Sequence, residues 1–473
     1  MEYLNDKFDI PEHNSTLKTE VLAGITNYFT LVYLIILVPY ILMDAFVGSK
    51  DTNGVLINNA ILYNGMLAND MLVLLTALSF ICAGVSSIIM GCLTNLPFIQ
   101  GPSLAVGSFI SYTVCQHFGY TYNQALAIVF LSGICFFILA IFGMERKISN
   151  AIPLNIKYAV VCGVGLFVAY QGLLKGYILQ AGTTGDILFT LTDLSNYKTK
   201  TALLAMFGVI FITILHKKHI HASIFIGKIT CIILAIPLGL LSLEDIDFVY
   251  SITIVQDIFH FDFQGLLDFS SRPAFITSLL TMLIVLFSIC IMDIFETITM
   301  LMVADNFVAL SDKKFIKKRI PQILEIDAIT TSIGASMGCV TVSTYISSTA
   351  GLVEGGRTGF TSVVTGVLFL FSCFISPLVA LIPSAATATT LIISGVIMMN
   401  VMKYIDFENI EEAVPAFFTM ILMPLTNNIL IGISFGIISY VIIHIFLGKA
   451  HRVNKILYVI SSLLLLCLIY LPR

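Results

Sequence analysis

Long apolar runs separated by short polar stretches organise this chain. They fall near 22–43, 71–94, 97–115, 123–143, 155–174, 201–215, 222–243, 274–303, 322–339, 340–357, 359–382, 385–402, 413–424, 429–447 and 453–471. A spanning helix needs about 20 mostly apolar residues. The pattern therefore predicts an all-α polytopic membrane protein of about 14 or 15 segments. Two stretches break the helical pattern, Leu96-Pro-Phe-Ile-Gln-Gly-Pro-Ser103 and Cys339-Val-Thr-Val-Ser-Thr-Tyr345. The first holds two prolines and the second alternates β-branched and polar residues, so both read as extended. Irregular backbone at membrane depth survives where it is buried in protein or lines a cavity. A helix starting after such a stretch presents N–H groups and a partial positive charge. Binding-site half-helices and plain packing kinks both fit this pattern.

Composition agrees with the membrane reading. Hydrophobic residues make up 58% of the 473 and charged ones 11%, against roughly a quarter charged in soluble domains. The net charge of −4 excludes a basic nucleic-acid binder. Ten scattered cysteines without a C-x-x-C spacing predict neither a disulfide framework nor a metal site. The polar first 20 residues, followed by a long apolar run, predict no signal peptide. Lys and Arg concentrate at Arg146, Lys147, Lys157, Lys217, Lys218 and Lys313–Arg319, which places the N-terminus inside. His216, His219 and His221 flank Lys217 and Lys218 and read as a solvated basic loop rather than a metal cluster.

Ile152-Pro153 followed by Gly165 recurs as Ile382-Pro383 followed by Gly395. Seven segments between copies give the halves opposite topology, a common plan in secondary transporters. Repeat one is expected over about 18–243 and repeat two over about 272–471.

Asp293 and Glu296 lie within the apolar run 274–303, with no Lys or Arg in that run. Three residues apart, they are expected to share a helix face. Intramembrane carboxylates are costly and default to function. They are candidates for accepting N–H bonds from a solute and for carrying a proton. Glu354-Gly-Gly-Arg357 reads as a tight turn carrying a motif pair, with a gating role or a plain boundary ion pair as its two readings.

On the stretches Asp293-Ile-Phe-Glu-Thr297, Thr344-Tyr-Ile346, Ala350–Gly359 and Ser376–Pro383, the chain resembles the azaguanine-type purine permeases of the nucleobase-cation symporter-2 superfamily. The resemblance runs from Lys18 to about Gly448. It implies 14 segments in two inverted repeats of seven, with strand-preceded half-helices in segments 3 and 10. It also implies a core domain (about 18–143 and 272–382) and a gate domain (about 153–243 and 383–471). Purine bases are the implied substrates, with proton symport and a homodimer through the gate domain. Carried over by motif, Glu296 holds the base, while Gly107, Ser108, Tyr345, Ile346 and Ser347 lie at the half-helix starts. Three positions depart from the family's pattern. Gly107 replaces an Asn, Ser347 replaces a Glu, and Glu296 replaces an Asp.

The expected function is import of hypoxanthine, guanine or adenine by an elevator-like movement, in a bacterial inner membrane. No cofactor, metal, nucleic-acid partner or enzymatic activity is expected. The alternatives are another heterocycle, a nucleoside or an anion carried on the same plan, or an uncoupled channel. A membrane anion site favours a cation where this chain places carboxylates.

Overall fold

The computed structural model describes residues 7–46, 68–143, 147–148, 151–181, 187–189, 197–218, 223–240, 261–267, 272–307, 313–345, 348, 351–352, 354–381, 383–426 and 428–470. The described residues form fourteen α-helices. The first five are α1 (Leu17–Leu42), α2 (Ala68–Thr94), α3 (Leu104–Ser108), α4 (Tyr122–Ile141) and α5 (Leu154–Lys175). The next five are α6 (Tyr197–Lys217), α7 (Ser223–Ala235), α8 (Arg272–Phe307), α9 (Lys313–Ser336) and α10 (Gly359–Ser372). The last four are α11 (Ser384–Met398), α12 (Ile410–Leu425), α13 (Ile429–Phe446) and α14 (Lys455–Tyr470). Nine described helices are long and apolar enough to cross a bilayer.

The outer surface is apolar and the interior carries the hydroxyls. Phe142, Phe374 and Phe446 are exposed, as a lipid-facing surface allows. Thr76, Ser86, Thr330 and Thr389 are buried and donate to carbonyls four residues back in their own helices. That local bond satisfies a hydroxyl without a second helix.

Helices approach closely where glycines meet. The α2–α10 crossing sets Gly91 against Gly359 and Gly84 against Gly366, with no room for a Cβ at any of the four. The α5–α11 crossing sets Gly165 against Gly395, the two glycines found at equivalent places in the repeated motif. Small residues allow such backbone contact, which drives helix association in lipid. The motif prolines Pro153 and Pro383 immediately precede α5 and α11. There a missing N–H costs nothing.

Both interrupted stretches contain a strand. β1 (Gln100–Pro102) pairs antiparallel with β4 (Val342–Thr344), in the register Gln100↔Thr344, Gly101↔Ser343 and Pro102↔Val342. A second ladder joins β2 (Leu179–Ala181) to β3 (Ile187–Phe189). The β1–β4 pair is extended by Ser103 N–H to the Thr341 carbonyl (2.8 Å) and Tyr345 N–H to the Ile99 carbonyl (3.0 Å). The Ser87 hydroxyl lies within hydrogen-bonding reach of both Gln100 N and O. Extended backbone thus finds its bonds inside the protein, as lipid demands.

One boundary differs from the sequence pattern. The basic stretch Lys313–Arg319 begins helix α9 rather than preceding it. The Arg319 guanidinium donates to the Thr94 carbonyl at the end of α2 (2.7 Å). A cation at a helix C-terminus satisfies a carbonyl with no partner in its own helix.

Candidate functional site

α3 begins directly after β1. Ser103 caps it, accepting the Val106 N–H (3.0 Å). After five residues it continues as a π-type turn over Phe109–His117. The short helix therefore starts deep in the protein with its N-terminal end beside β4. Glu296 on α8 reaches this end. Its carboxylate accepts the Ser343 hydroxyl at 2.6 Å and lies beside Ser103 and Ala105 at the start of α3. A helix N-terminus favours an anion, and here an acidic side chain of the protein lies beside it.

Glu296 faces a cavity of about 100 Å³. Its walls include Tyr33 and Leu34 of α1, Leu104 and Ala105 of α3, and Met292 and Phe295 of α8. The opposite side comes from Val160 and Val164 of α5, Ser394 and Met398 of α11, and Ile429 of α13. The cavity is mostly apolar with a few polar groups, the usual composition of a small-molecule site.

Asp293 has a different setting. It is buried and accepts the Thr331 hydroxyl of α9 (3.1 Å), while its other oxygen has no hydrogen-bond partner among the described residues. Asp293 does not line the cavity. The carboxylates are neighbours on one helix, but one faces the cavity and the other faces α9.

Another buried carboxylate, Asp327 of α9, escaped the sequence reading. It accepts from Gln100 Nε2 (2.7 Å), Thr344 Oγ1 (3.2 Å) and the Thr297 hydroxyl. Gln100 and Thr344 are register partners, so one side chain braces both strands. An acidic residue inside the apolar run 322–339 was the available signal. The oxygens Gln100 Oε1 and Thr341 Oγ1 nearby are buried without partners among the described residues.

The remaining predicted residues are placed as follows. The Gly107 N–H bonds the Ser103 carbonyl, and the Ser108 hydroxyl bonds the Leu104 carbonyl. Neither residue lines the cavity, where α3 presents Leu104 and Ala105 instead. Tyr345 lines the cavity and donates to the Pro102 carbonyl (2.7 Å). Its ring lies against Gly101, where a Cβ would come within 2.7 Å of Cε2. Ile346 and Ser347 lie outside the described residues, as do His219 and His221.

The Glu354–Arg357 turn is held by a residue the sequence reading did not single out. Glu20 of α1 is fully buried. Its carboxylate accepts Arg357 N–H (2.9 Å), Thr358 N–H (3.3 Å) and the Thr361 hydroxyl (2.5 Å). One acid thus caps α10 from another helix. Gly355 in the turn has φ +97°, which glycine adopts without a Cβ penalty.

These features define a multi-pass membrane transporter, with a half-helix and a carboxylate facing a mostly apolar cavity. The chain belongs to the Permease family, whose model matches residues 18–435. It is a permease and not an enzyme. It is 30% identical to the adenine permease AdeQ of Escherichia coli, over 98% of this chain and 96% of that one. It is 31% identical to the guanine/hypoxanthine permease PbuG of Bacillus subtilis, over 98% and 99%. In fold it is similar to the transmembrane domain of the cyanobacterial bicarbonate transporter BicA. The TM-score there is 0.59 at 15% identity, covering 89% of this chain and 97% of that one. It is also similar to the murine anion transporter Slc26a9 in its inward-facing state, with a TM-score of 0.55 at 10% identity, covering 92% and 68%.

Proposed function

We propose that this permease imports purine nucleobases by proton symport. The observation carrying the reading is Glu296, a carboxylate presented to an apolar cavity beside a half-helix start. A purine N–H edge would replace the Ser343 donor on that carboxylate, exchanging like bonds for like. The full-length likeness to adenine and guanine/hypoxanthine permeases supports a purine. A membrane anion would favour a cation here, and the cavity is lined by a carboxylate.

The proton is assigned to the acids Glu296, Asp293 and Asp327, of which the two aspartates are buried. Among the described residues none hydrogen-bonds a Lys or Arg, and uncompensated charge at membrane depth is costly. Each proton bound within this group removes one of those charges. The cavity lies between helices of the 18–143 and 272–382 set and helices of the 153–243 and 383–471 set. An elevator-like shift of the first set, as core, against the second, as gate, would carry the base across. Fourteen spanning segments in two inverted repeats, a homodimer through the gate set and a bacterial inner membrane complete the proposal. Ile346 and Ser347 remain candidates for the substrate contact from the second half-helix, and Glu354 and Arg357 for gating.

The test is uptake of labelled adenine, guanine and hypoxanthine into proteoliposomes with an inward proton gradient. Uptake of at least one base, abolished by Glu296→Gln in folded protein, is the expected result. Uptake of none, or uptake indifferent to Glu296→Gln, overturns the reading.

A further inference from the structure

The two groups of helices around the cavity also meet away from it. Lys175 is the last residue of α5, and Asp44 lies in the short turn Met43–Ala45 that ends α1. The Lys175 ammonium pairs with the Asp44 carboxylate at 3.1 Å, the side chains being 19% and 10% exposed. It also reaches the Tyr40 carbonyl in the last turn of α1 (3.5 Å), where a helix C-terminus favours a cation. Asp44 is held in turn from the segment that continues α3. The Tyr112 hydroxyl donates to its carboxylate and Gln116 Nε2 to its carbonyl, both at 2.6 Å. Three elements, α1, the α3 continuation and α5, thus converge on one ion pair. The Tyr112 ring also meets the Phe167 ring of α5 edge-on, with centroids 6.3 Å apart. Phe167 lies on α5 between the cavity residue Val164 and Lys175. Asp44 comes about three helical turns after Leu34, and Lys175 about three after Val164. The pair therefore sits beyond one end of the cavity. With the N-terminus inside, as the Lys and Arg pattern places it, α1 runs outward and that end is the outer one.

We propose that the Asp44–Lys175 pair is an outer latch of the transport cycle. It ties the outer ends of α1 and the α3 continuation, in the core set, to α5 of the gate set. The cavity then opens outward only when the pair breaks. A partly buried pair is screened less than one on an open surface, so it holds the two sets together at physiological salt. Opening lets water reach both charges, which offsets part of the lost attraction and keeps the latch reversible. Tyr112 stays on the Asp44 side of the break and keeps the carboxylate in place for reclosure. The proposal rests on the movement of one helix set against the other and names the contact that regulates it.

The experiment uses intact cells making the full-length protein with Ser394→Cys, a reporter in the cavity wall. A charged, membrane-impermeant maleimide is added outside the cells and, in parallel, to the inner face of inverted vesicles. Mass spectrometry of the peptide carrying residue 394 gives the labelling rate there, so the native cysteines do not register. The reporter is compared alone and with Lys175→Met, Asp44→Asn or both, each first shown to be folded by its thermal unfolding. Breaking the pair from either side should speed outside labelling by about threefold or more, the population shift expected for one lost ion pair. The double variant should label no faster than the faster single one, because both substitutions remove the same contact. Outside rates that stay unchanged, or effects that multiply in the double variant, overturn the latch, even where the unfolding midpoint falls. Labelling from one side alone in every variant overturns the proposed movement and the latch with it. Labelling from both sides, with rates indifferent to the pair, overturns the latch and leaves the movement standing.

Discussion

Single carboxylates organise three separate places, and their neighbours decide what each does. Glu296 is presented to a cavity, Asp327 braces two strands and Glu20 caps a helix. Glu20→Ala should destabilise the protein by about 2–3 kcal/mol, because two N–H donors and a hydroxyl lose a charged acceptor. Glu20→Gln keeps an acceptor and should cost less. Thermal unfolding in detergent checks both, and an unchanged midpoint for Glu20→Ala would refute the capping role. The sequence made Glu296 legible because an acid in an apolar run is expensive. The same cost marks Asp327, an acid inside the apolar run 322–339. Glu20 was not legible, since it sits near a polar terminus and its partner Arg357 is 337 positions away.

Glycines set how closely the helices pack, and they are not equivalent. A Cβ on Gly91 would strike the Gly359 carbonyl, whereas a Cβ on Gly107 would meet Val38, Leu42 and Val340 at 3.5–3.9 Å, ordinary contact distances. Gly91→Ala should therefore cost about 1–3 kcal/mol through overpacking against backbone. Gly107→Ala should change stability by less than about 1 kcal/mol, with a gain in helix propensity offsetting any repacking. Unfolding midpoints of the two variants test the contrast, and equal losses would remove it. The extended stretches were readable from two prolines and from alternating β-branched residues. Their antiparallel pairing, Gln100 to Thr344, was not, because register is set between segments distant in the chain. The start of α9 at Lys313 was missed because a basic stretch without apolar periodicity reads as loop. Its helix is held partly by the Arg319 bond to α2.

At the scale of the molecule, the cavity is closed by two groups of helices, α1, α3 and α8 on one side and α5, α11 and α13 on the other. If transport moves one group against the other with a proton, accumulation needs the gradient while exchange does not. In proteoliposomes, a protonophore should abolish uptake of base above its external concentration, yet leave exchange of internal for external base intact. Accumulation that survives the protonophore would refute proton coupling. Gly165 and Gly395, which follow Ile152-Pro153 and Ile382-Pro383 at the same spacing, meet where α5 crosses α11. The motif recurs at a fixed offset, and its two copies end in contact.

The sequence by itself determined the membrane class, most helix positions and the two interrupted stretches, and it offered Glu296 as a candidate. These follow from local quantities: run length, the energetic cost of a charge in lipid, and the chain geometry of proline and β-branched residues. The tertiary structure alone decided which way each carboxylate faces, which residues of α3 reach the cavity, and where each hydroxyl spends its hydrogen. Those depend on contacts between residues hundreds of positions apart. Pattern along the chain carries no record of such contacts until the helices pack.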